Sequence, residues 1–507
     1  MNRCVLALDQ GSHASRACLF DESGALLATA SVPVATVRRG AAEVEQDADE
    51  LVQSLRSAAR DAVAQARAGQ SQLQLCAAGL AVQRSTIVCC SREDGRALAP
   101  ALSWQDHRNA AWLQTLAPQA ARVRELTGLP LSAHYGASKL RWCLDHLPAV
   151  AQAAAAGGLL AAPLASYLAL HLNAGATGDA RAAGEACEAH SARVDAANAS
   201  RTLLLDSRRL DWSAELLELF AIDRAWLPAH APTHGDWGRL RLPGSAVELC
   251  AVTGDQSAVP FCEGPADPAC VYVNLGTGAF IQRPLLERPA APAPLLGSVL
   301  YRDGEGAIYS LEGTVNGAGA AVSWFCAQHR CAEQPLWTAL ESLDARAALP
   351  VFVNGIGGLG SPWWRPTMES HFIDDAAGAP GAGSAGAAPE LLPRFAAVIE
   401  SIAFMIAANA ALLVRQSGPP QRVLLAGGMS RSQWLCRKLA SLLGLPVQVT
   451  AAEASARGVA RLAAPGLTAQ WERSPTQTWE PQPDPALQAR YQRFLDALAA
   501  TPGPPGG

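Results

Sequence analysis

An acidic residue directly follows a glycine near the middle of the chain, close to the end of an apolar run. The run spans residues 247–252, and Gly254-Asp255-Gln256 begins two residues later. A glycine lets a ligand approach the backbone closely, so a carboxylate beside it is well placed to contact that ligand. We therefore predict that Asp255 is a catalytic base, and the glycine turns described next favour phosphoryl transfer as its reaction.

Two glycine turns could hold phosphate groups. Asp9-Gln10-Gly11 ends one apolar run, and Gly276-Thr277-Gly278 follows another at residues 271–275. A chain reversal at glycine leaves successive backbone N–H groups pointing outward, an arrangement that binds phosphate oxygens. Asp9 could also hold Mg²⁺, directly or through water. An ordinary β-turn explains either motif alone. Two opposed turns, however, could grip a polyphosphate.

A third glycine pair and an arginine–tryptophan combination could complete a binding site. Gly427-Gly428 follows an apolar run and precedes helical spacing from about Gln433, so a ribose or a flat ring could approach the bare backbone. Arg84 could bind two hydroxyls or a phosphate through its guanidinium fork, and Trp104 could form an apolar wall. The spacing alone also fits a strand-to-helix turn, a surface arginine and a core tryptophan.

Two other nucleotide-binding motifs can be weighed directly. A Walker A loop requires Gly-Lys followed by Ser or Thr, and neither Lys139 nor Lys438 follows a glycine. Residues 355–360 match the dinucleotide fingerprint G-x-G-x-x-G, which would suit a nicotinamide-dependent enzyme. Ser361-Pro362 follows this match in place of a helix start, so we disfavour that alternative.

The elements that would position these residues form two similar units. Residues 5–30 predict three strands joined by turns, and residues 51–63 follow helical spacing. A strand–turn–strand unit recurs at residues 271–281. We therefore predict an α/β protein with two related lobes that divide near residue 250.

One long stretch carries almost no charge. Residues 147–178 contain no acidic or basic side chain except His171. Alanine and glycine dominate the stretch and Pro163 lies in its middle, so a buried helix pair is the better interpretation than a membrane span.

The composition bounds the class of protein. The chain has 507 residues, half of them hydrophobic and 17% charged, as in an ordinary soluble globular protein. The net charge of −5 argues against a nucleic-acid partner. The thirteen cysteines include no C-x-x-C pair and the N-terminus has no signal peptide, so we expect a cytoplasmic protein with no membrane partner. The sequence does not determine whether the protein forms a homo-oligomer.

Taken together, these motifs make the chain resemble the FGGY-type carbohydrate kinases, and among them most closely the glycerol kinases. The resemblance extends from Leu6 to about Leu462 and rests on stretches in matching order: residues 8–11, 83–84, 104–106, 127–131, 198–202, 210–212, 254–256, 276–278, 311–313, 358–362, 400–404 and 427–428. It implies two actin- or hexokinase-like (ribonuclease H-like) lobes with a central cleft. The implied divisions are an N-terminal lobe at residues 1–250, a C-terminal nucleotide-binding lobe at 251–465 and an extension at 466–507.

The resemblance also implies a role for each matching residue. Asp255 would be the general base, and Asp9 would lie near the metal. The implied substrate pocket contains Asp255 together with Arg84, Ser85, Trp104, His134, Gln256 and Phe280. The implied nucleotide site contains Ser12, His13, Arg16, Gly276, Thr277, Gly319, Ser323, Gly427, Gly428 and Ser432. ATP and Mg²⁺ are the implied cofactors, and a small polyol or sugar is the implied substrate.

Several positions depart from the glycerol kinase pattern. Ser85 stands in place of a glutamate, His134 in place of a tyrosine and Ser432 in place of an asparagine. Ser12-His13-Ala14 replaces Thr-Thr-Ser, and Arg365 replaces an aspartate. Losing polar contacts reduces discrimination between substrates, so glycerol is the leading but uncertain substrate. The alternative is a catalytically weak, sugar- or nucleotide-binding regulatory paralogue.

Overall fold

The computed structural model describes residues 2–69, 73–173, 192–242, 245–290, 293–344, 347–373, 388–472 and 477–500. The sequence predicts a surface loop at residues 374–389 and a disordered tail from residue 501. Residues 374–387 and the tail lie outside the described ranges, and residues 388 and 389 begin a helix.

Strands and helices alternate along the chain. The strands are β1 (Asn2–Gln10), β2 (Ala14–Asp21), β3 (Leu26–Pro33), β4 (Val37–Arg39), β5 (Glu43–Gln46), β6 (Leu73–Val82), β7 (Ile87–Ser91), β8 (Ala101–Leu102), β9 (Leu159–Pro163), β10 (Arg193–Asp195), β11 (Leu205–Asp206), β12 (Asp211–Trp212), β13 (Ala229–Ala231), β14 (Arg239–Leu242), β15 (Ser245–Gly254), β16 (Cys270–Leu275), β17 (Ala279–Leu285), β18 (Leu296–Arg302), β19 (Ala307–Val315), β20 (Val351–Val353), β21 (His371–Ile373), β22 (Arg422–Ala426), β23 (Val447–Val449) and β24 (Thr478–Trp479). The α-helices are α1 (Ala48–Gly69), α2 (Ala110–Leu113), α3 (Ala120–Thr127), α4 (Gly136–His146), α5 (Pro148–Ala155), α6 (Leu164–Asn173), α7 (Ala196–Ser200), α8 (Ala214–Phe220), α9 (Asp255–Ala258), α10 (Gly319–His329), α11 (Glu333–Leu340), α12 (Ala388–Ser417), α13 (Gln433–Leu443), α14 (Ala454–Ala463), α15 (Pro465–Thr468) and α16 (Pro485–Ala500).

The first large sheet has the strand order β14-β15-β6-β1-β2-β3. β15, β6 and β1 run parallel, whereas β1, β2 and β3 form an antiparallel meander. The three strands predicted for residues 5–30 are therefore confirmed. Side chains of β1 alternate between two cores, with Leu6 and Leu8 on one face and Val5 and Ala7 on the other.

The second large sheet repeats this arrangement. Its order is β18-β19-β17-β16-β22-β23-β24, with β16, β22 and β23 parallel and β16, β17 and β19 antiparallel. The strand–turn–strand unit β16–β17 thus occupies the position that β1–β2 has in the first sheet. The two related lobes predicted from the sequence are present.

Helices cover both faces of the first sheet. α1 packs on one face through a stripe at helical spacing that includes Leu51, Leu55 and Ala59. α14 packs on the other face, and a Cβ at Gly79 of β6 would lie 2.6 Å from the carbonyl oxygen of Val459. Because α14 lies between β23 and β24 of the second sheet in the chain, this close contact joins the two lobes. The lobe division near residue 250 stays a prediction, although β15 continues in the first sheet to its last residue.

The most apolar helix lies inside the second lobe. Residues Leu391–Ser417 of α12 have the length and composition of a membrane span, but 83% of their most apolar window is buried. Phe395, Ile399 and Ile402 pack in the same core as β16 and β22. Packing against the second sheet therefore accounts for the apolar character of α12.

The uncharged stretch at residues 147–178 differs from the prediction of a helix pair. α5 and α6 are present, but residues 159–163 between them form β9, which pairs with β7. Residues 174–178 lie outside the described ranges. Every residue of β9 is buried, so the alternation that marks a half-exposed strand is missing from its sequence.

Helix α16 closes the second lobe with a buried ion pair. Arg490 donates through Nε and Nη2 to both carboxylate oxygens of Glu400 on α12, each at 2.6 Å. Glu400 is fully buried, and Leu487 and Phe494 of α16 lie in the same core as α12. The extension after residue 466 is therefore packed into the lobe through α16.

We expect Arg490→Met to lower the free energy of unfolding by about 3–5 kcal/mol, because it leaves the charge of Glu400 buried without its partner. Urea unfolding of the purified variant measures this loss. Gln492→Met, at an exposed position of the same helix, is the control. Equal stability of the two variants would contradict the role given to this ion pair.

Candidate active site

Three parallel strands of the first sheet end at the same level. Gln10, Val82 and Gly254 are register partners on β1, β6 and β15. The residues that follow these positions are therefore adjacent at the carboxyl edge of the sheet, where open α/β sheets bind ligands. This edge brings together the first glycine turn, Arg84 and Asp255.

Asp255 begins the short helix α9 directly after β15. Its Oδ1 accepts a hydrogen bond from the backbone N–H of Gln256 at 2.6 Å. Burial raises the pKa of Asp255, while the guanidinium groups of Arg84 and Arg201 oppose that rise. A Cβ at Gly254 would lie 2.5 Å from Cδ of Arg84, so the glycine allows the arginine side chain to cross the end of the strand.

Asp9 and Asp255 form an acidic pair suited to a divalent cation. Burial raises the pKa of Asp9 to about 7; the charge of Asp255 adds to the rise and Arg16 opposes it. A cation would relieve this repulsion, so the pair fits Mg²⁺. Among the described residues, no group of three or more His, Cys, Asp and Glu side chains could hold a metal ion. The remaining ligands of Mg²⁺ would then be waters and phosphate oxygens, as is usual for this ion.

Glu312, on β19 of the second sheet, lies between two arginines of the first lobe. Its Oε1 accepts a hydrogen bond from Nη1 of Arg84 at 3.2 Å, and its Oε2 accepts one from Nη2 of Arg201. The Arg84 guanidinium also lies 4.8 Å from the centre of the Phe280 ring. Burial lowers the pKa of Arg84 to about 10 and that of Arg201 to about 9, so both remain charged at neutral pH. This Arg–Glu–Arg cluster joins the lobes beside Asp255.

Trp104 and His134 form an aromatic wall on the first lobe. Their ring centres are 5.7 Å apart in an edge-to-face arrangement. Trp104 Nε1 donates to Oγ of Ser12 at 2.8 Å, and that hydroxyl donates to Oε1 of Gln83 at 3.2 Å. Burial lowers the pKa of His134 well below its usual range, so its ring is neutral. The Ser12 hydroxyl, predicted to contact the nucleotide, holds the tryptophan in place.

Ser85 and Gln256 line the same region in different ways. Ser85 has φ of +66°, a strained conformation for a residue with a side chain, and its buried hydroxyl has no hydrogen-bond partner among the described residues. Gln256 is held by the second sheet: its Oε1 accepts from Asn274 Nδ2 at 3.1 Å, and its backbone oxygen accepts from Gln282 Nε2 at 2.7 Å. The buried hydroxyl of Ser85 therefore has a hydrogen-bonding capacity that no described residue satisfies.

The second glycine turn contacts the start of α10. Gly276 and Thr277 accept hydrogen bonds through their carbonyl oxygens from the backbone N–H groups of Gly319 and Ala320, at 3.0 and 2.9 Å. A Cβ at Gly319 would lie 2.8 Å from the oxygen of Gly276, so the contact requires glycine. Thr277 is exposed, and Ser323 is exposed one turn into the helix. Because the first N–H groups of α10 are engaged by carbonyl oxygens of the turn, the exposed side chains of Thr277 and Ser323 are the groups here that could contact a ligand.

The third glycine pair follows β22 beside the end of β16. Gly427 has φ of +92°, and a Cβ there would lie 2.3 Å from the carbonyl oxygen of Leu275, so only glycine fits. A Cβ at Gly428 would meet no atom within 4 Å, which leaves open backbone where a flat ring or a ribose could lie.

Ser432, predicted to lie in the nucleotide site, makes other contacts. It is buried, its Oγ accepts a hydrogen bond from the N–H of Leu435 at 3.3 Å as the N-cap of α13, and it donates to Glu341 at 2.7 Å. The side chain thus starts a helix, as serine commonly does.

His13 and Arg16 are exposed on the β1–β2 hairpin. Nη1 of Arg16 lies 3.1 Å from Oε2 of Glu453, which directly precedes α14. Arg16 therefore pairs with a carboxylate from the C-terminal part of the chain.

The predicted nucleotide residues lie on three separate turns, whereas six of the predicted substrate residues contact one another in pairs: Arg84 with Phe280, Trp104 with His134, and Asp255 with Gln256. Their roles stay predictions. No motif in the sequence predicts a site role for Arg201, Glu312 or Lys139. Two of them lie in family-like stretches, at residues 198–202 and 311–313, but spacing carries no signal that their side chains meet near Arg84.

The dinucleotide fingerprint at residues 355–360 lacks the context that it needs. Among the described strands, β20 pairs only with β21, in an antiparallel fashion. A turn at residues 361–363 follows the match, where a pyrophosphate site would require a helix N-terminus. The structure therefore also disfavours a nicotinamide site here.

Comparisons with known proteins bear on the class of this protein. Residues 4–271 match the N-terminal domain of the FGGY family of carbohydrate kinases, and residues 271–467 match its C-terminal domain. The chain is 32% identical to a glycerol kinase of Citrifermentans bemidjiense, over 92% of each chain. It is 33% identical to a glycerol kinase of Aromatoleum aromaticum, over 91% of this chain and 90% of that relative.

Solved structures show the same fold. The structure of Plasmodium falciparum glycerol kinase with ADP has a TM-score of 0.85 at 18% identity, covering 99% of this chain and 98% of that one. Xylulose kinase from Rhodospirillum rubrum has a TM-score of 0.80 at 20% identity and 98% coverage of both chains.

This two-lobed chain therefore belongs to the FGGY family of carbohydrate kinases. It is a carbohydrate or polyol kinase with actin/hexokinase-like lobes. The family, the fold class and the enzyme class predicted from the sequence are confirmed.

The raised pKa of Asp9 predicts a pH-dependent stability. Its pKa rises from the ordinary 3.8 to about 7 on folding, so the folded protein holds the proton more tightly. The stability from that proton is complete at low pH and is lost as the pH rises from about 4 to about 7. Over this pH range, we expect the free energy of unfolding of Asp9→Asn to fall by at least about 1.4 kcal/mol less than that of the wild type. This difference is the equivalent of one pKa unit.

Urea unfolding without Mg²⁺, at about pH 5 and about pH 8, measures the difference in slope. The control is Asp61→Asn, because Asp61 is half-exposed and pairs with Arg60 at the surface. A slope in Asp9→Asn equal to that of the wild type would contradict the assignment.

We expect Glu312→Gln to lower the free energy of unfolding by about 3–5 kcal/mol, because two buried guanidinium groups lose their shared counter-charge. Glu305→Gln, at an exposed position in the turn before β19, is the matched control. Urea unfolding of both variants compares them directly. If the two variants are equally stable, the Arg–Glu–Arg cluster does not hold the lobes together.

Proposed function

We propose that this protein transfers the γ-phosphoryl group of ATP to a hydroxyl of a small polyol or sugar, with glycerol as the leading substrate. The observation that carries the proposal is Asp255, half-buried at the carboxyl edge of the first sheet, with a raised pKa and electrostatic coupling to Arg84 and Asp9. The use of ATP is supported by membership of a kinase family and by the fold match to a glycerol kinase solved with ADP.

Asp255 would take the proton from the attacking hydroxyl. Its raised pKa makes its carboxylate a stronger base than that of an ordinary aspartate, which favours general-base action. The hydroxyl oxygen forms a bond to the γ-phosphorus while the bond to the bridging oxygen breaks, and ADP leaves with that electron pair. Mg²⁺, when bound through Asp9, water and the phosphates, would neutralise charge on the transferred group.

The two lobes would divide the work of positioning. On the first lobe, the Arg84 fork would orient substrate hydroxyls and the ring of Trp104 would contact the carbon skeleton. On the second, the exposed hydroxyls of Thr277 and Ser323 would donate hydrogen bonds to phosphate oxygens. Holding both reactants in line supplies a large part of the acceleration in phosphoryl transfer.

The acceptor specificity depends on the two substrate positions that differ from the glycerol kinase pattern. Ser85 and His134 replace a glutamate and a tyrosine, and the smaller Ser85 leaves room for a longer or differently substituted polyol. The relatives named glycerol kinase support glycerol, at an identity of 32–33%.

A screen of glycerol, tetritols, pentitols and ketopentoses for ADP release tests the proposal. The physiological class is the one with the highest kcat/KM. Protein that binds ATP and Mg²⁺ but releases no ADP with any of these acceptors would contradict the proposed function.

A regulatory, weakly catalytic paralogue is the second candidate. The hydroxyls of Ser12 and Ser432, both predicted to contact the nucleotide, are engaged with Trp104 and Glu341. Titration calorimetry separates the two candidates, because a paralogue would bind ATP and a sugar without producing ADP.

We expect Asp255→Asn to lower kcat by about 10²-fold or more, because the amide cannot accept the proton. Steady-state ADP release with the best acceptor measures the loss. Asp61→Asn, which removes a carboxylate from the surface, should retain normal turnover. Near-normal turnover of a folded Asp255→Asn enzyme would remove the assignment of the base.

A further inference from the structure

Lys139 is one of only two lysines in the chain and is almost completely buried. It lies in the first turn of α4 and is 1% exposed. Burying an ammonium group costs free energy unless hydrogen bonds satisfy it. The groups that accept its hydrogen bonds therefore indicate the role of this residue.

The ammonium group connects two separate segments of the first lobe. Nζ donates to the carbonyl oxygen of Ser85 at 2.9 Å and to that of His134 at 2.6 Å. Ser85 lies on the loop after β6, directly beside Arg84, and His134 precedes α4. These are also the two substrate positions at which the chain departs from the glycerol kinase pattern.

The backbone that carries the Lys139 side chain is held in place by hydrogen bonds to another segment. The N–H groups of Gly136 and Ala137, at the start of α4, donate to the carbonyl oxygens of Arg201 and Thr202 at 3.2 and 2.7 Å. The first turn of α4 therefore cannot follow a movement of the Ser85 loop without breaking these bonds. The side chain of Lys139 therefore connects a fixed helix to that loop and sets the distance between them.

We propose that Lys139 is a positioning residue that sets the separation of Ser85 and His134, and with it the shape of the acceptor pocket. The inference rests on the proposed function, because it concerns the pocket assigned there to the polyol or sugar. It adds a determinant of acceptor binding that does not itself touch the acceptor.

The charged surroundings are compatible with this role. Burial lowers the pKa of Lys139 to about 7, the charge of Asp106 opposes that change and Arg108 adds to it. The ammonium group and the neutral amine both carry at least two N–H donors, so the two hydrogen bonds persist in either state.

His134 faces positive and neutral groups. Burial is the largest cause of its lowered pKa, and Lys139, Arg201, His107 and Arg84 lower it further. The cation of Lys139 therefore helps to keep the ring of His134 neutral.

The test compares Lys139→Met with Lys438→Met. Methionine has a similar length to lysine but no donor, so Lys139→Met removes both hydrogen bonds while filling the space. We expect KM for the acceptor to rise about tenfold or more, while KM for ATP stays within about twofold. Lys438, which pairs with Asp484 at 2.7 Å and packs on Trp434, should change neither KM.

Two further measurements separate positioning from general stability. Lys139→Arg keeps donors at the end of the side chain and should recover part of the acceptor affinity. The pKa of His134, followed by NMR, should rise in Lys139→Met and stay unchanged in Lys438→Met. A residue that only supported the fold would not move this titration selectively.

Several results would overturn the inference. They are equal changes in both KM values, no change in either, or failure of every variant at position 139 to fold, which would make the lysine a support of the fold as a whole. A wild-type protein with no kinase activity on any acceptor would refute the proposed function as well. Normal wild-type activity with an unchanged acceptor KM in Lys139→Met would refute this inference alone.

Discussion

A single buried carboxylate holds two guanidinium groups where the two lobes meet. Glu312 belongs to the second sheet, whereas Arg84 and Arg201 belong to the first lobe. Charged groups away from water need partners, because an unpaired buried charge costs several kcal/mol. The contacts with Glu312 form only when the lobes come together at this point. The interaction that joins the lobes therefore also places Arg84 across Gly254, next to Asp255.

The rest of the candidate site follows from a topology that occurs twice. In each large sheet, parallel strands end at one edge and a hairpin turns beside them. The first edge presents carboxylates and an arginine, and the second presents glycine turns with open backbone. In the proposed reaction, the first edge would activate a hydroxyl and the second would hold phosphates. The tight packing of Gly319 against Gly276 and of Gly427 against Leu275 shows why side chains are excluded there.

Much of the fold could be predicted from the sequence, because hydrophobic periodicity and turn residues are signals contained in short segments. The meander at residues 5–30, the repeated hairpin at 271–281 and the strand before Gly427 are all present. The prediction was wrong at residues 159–163, where a strand buried on both faces shows no alternation. The candidate site was predicted through residues at strand ends. The contacts of Ser12 and Ser432 were not, because their partners lie 92 and 91 positions away in the chain.

The sequence by itself determined most strands and turns of the two large sheets, because steric and hydrophobic preferences act between near neighbours. It also placed Asp9, Asp255 and the glycine turns at strand ends. The tertiary structure alone decided which side chains meet across the lobes and which pKa values shift. Pairing of Glu312 with its arginines and burial of Lys139 arise between segments distant in the chain, and desolvation has no counterpart in the unfolded polypeptide.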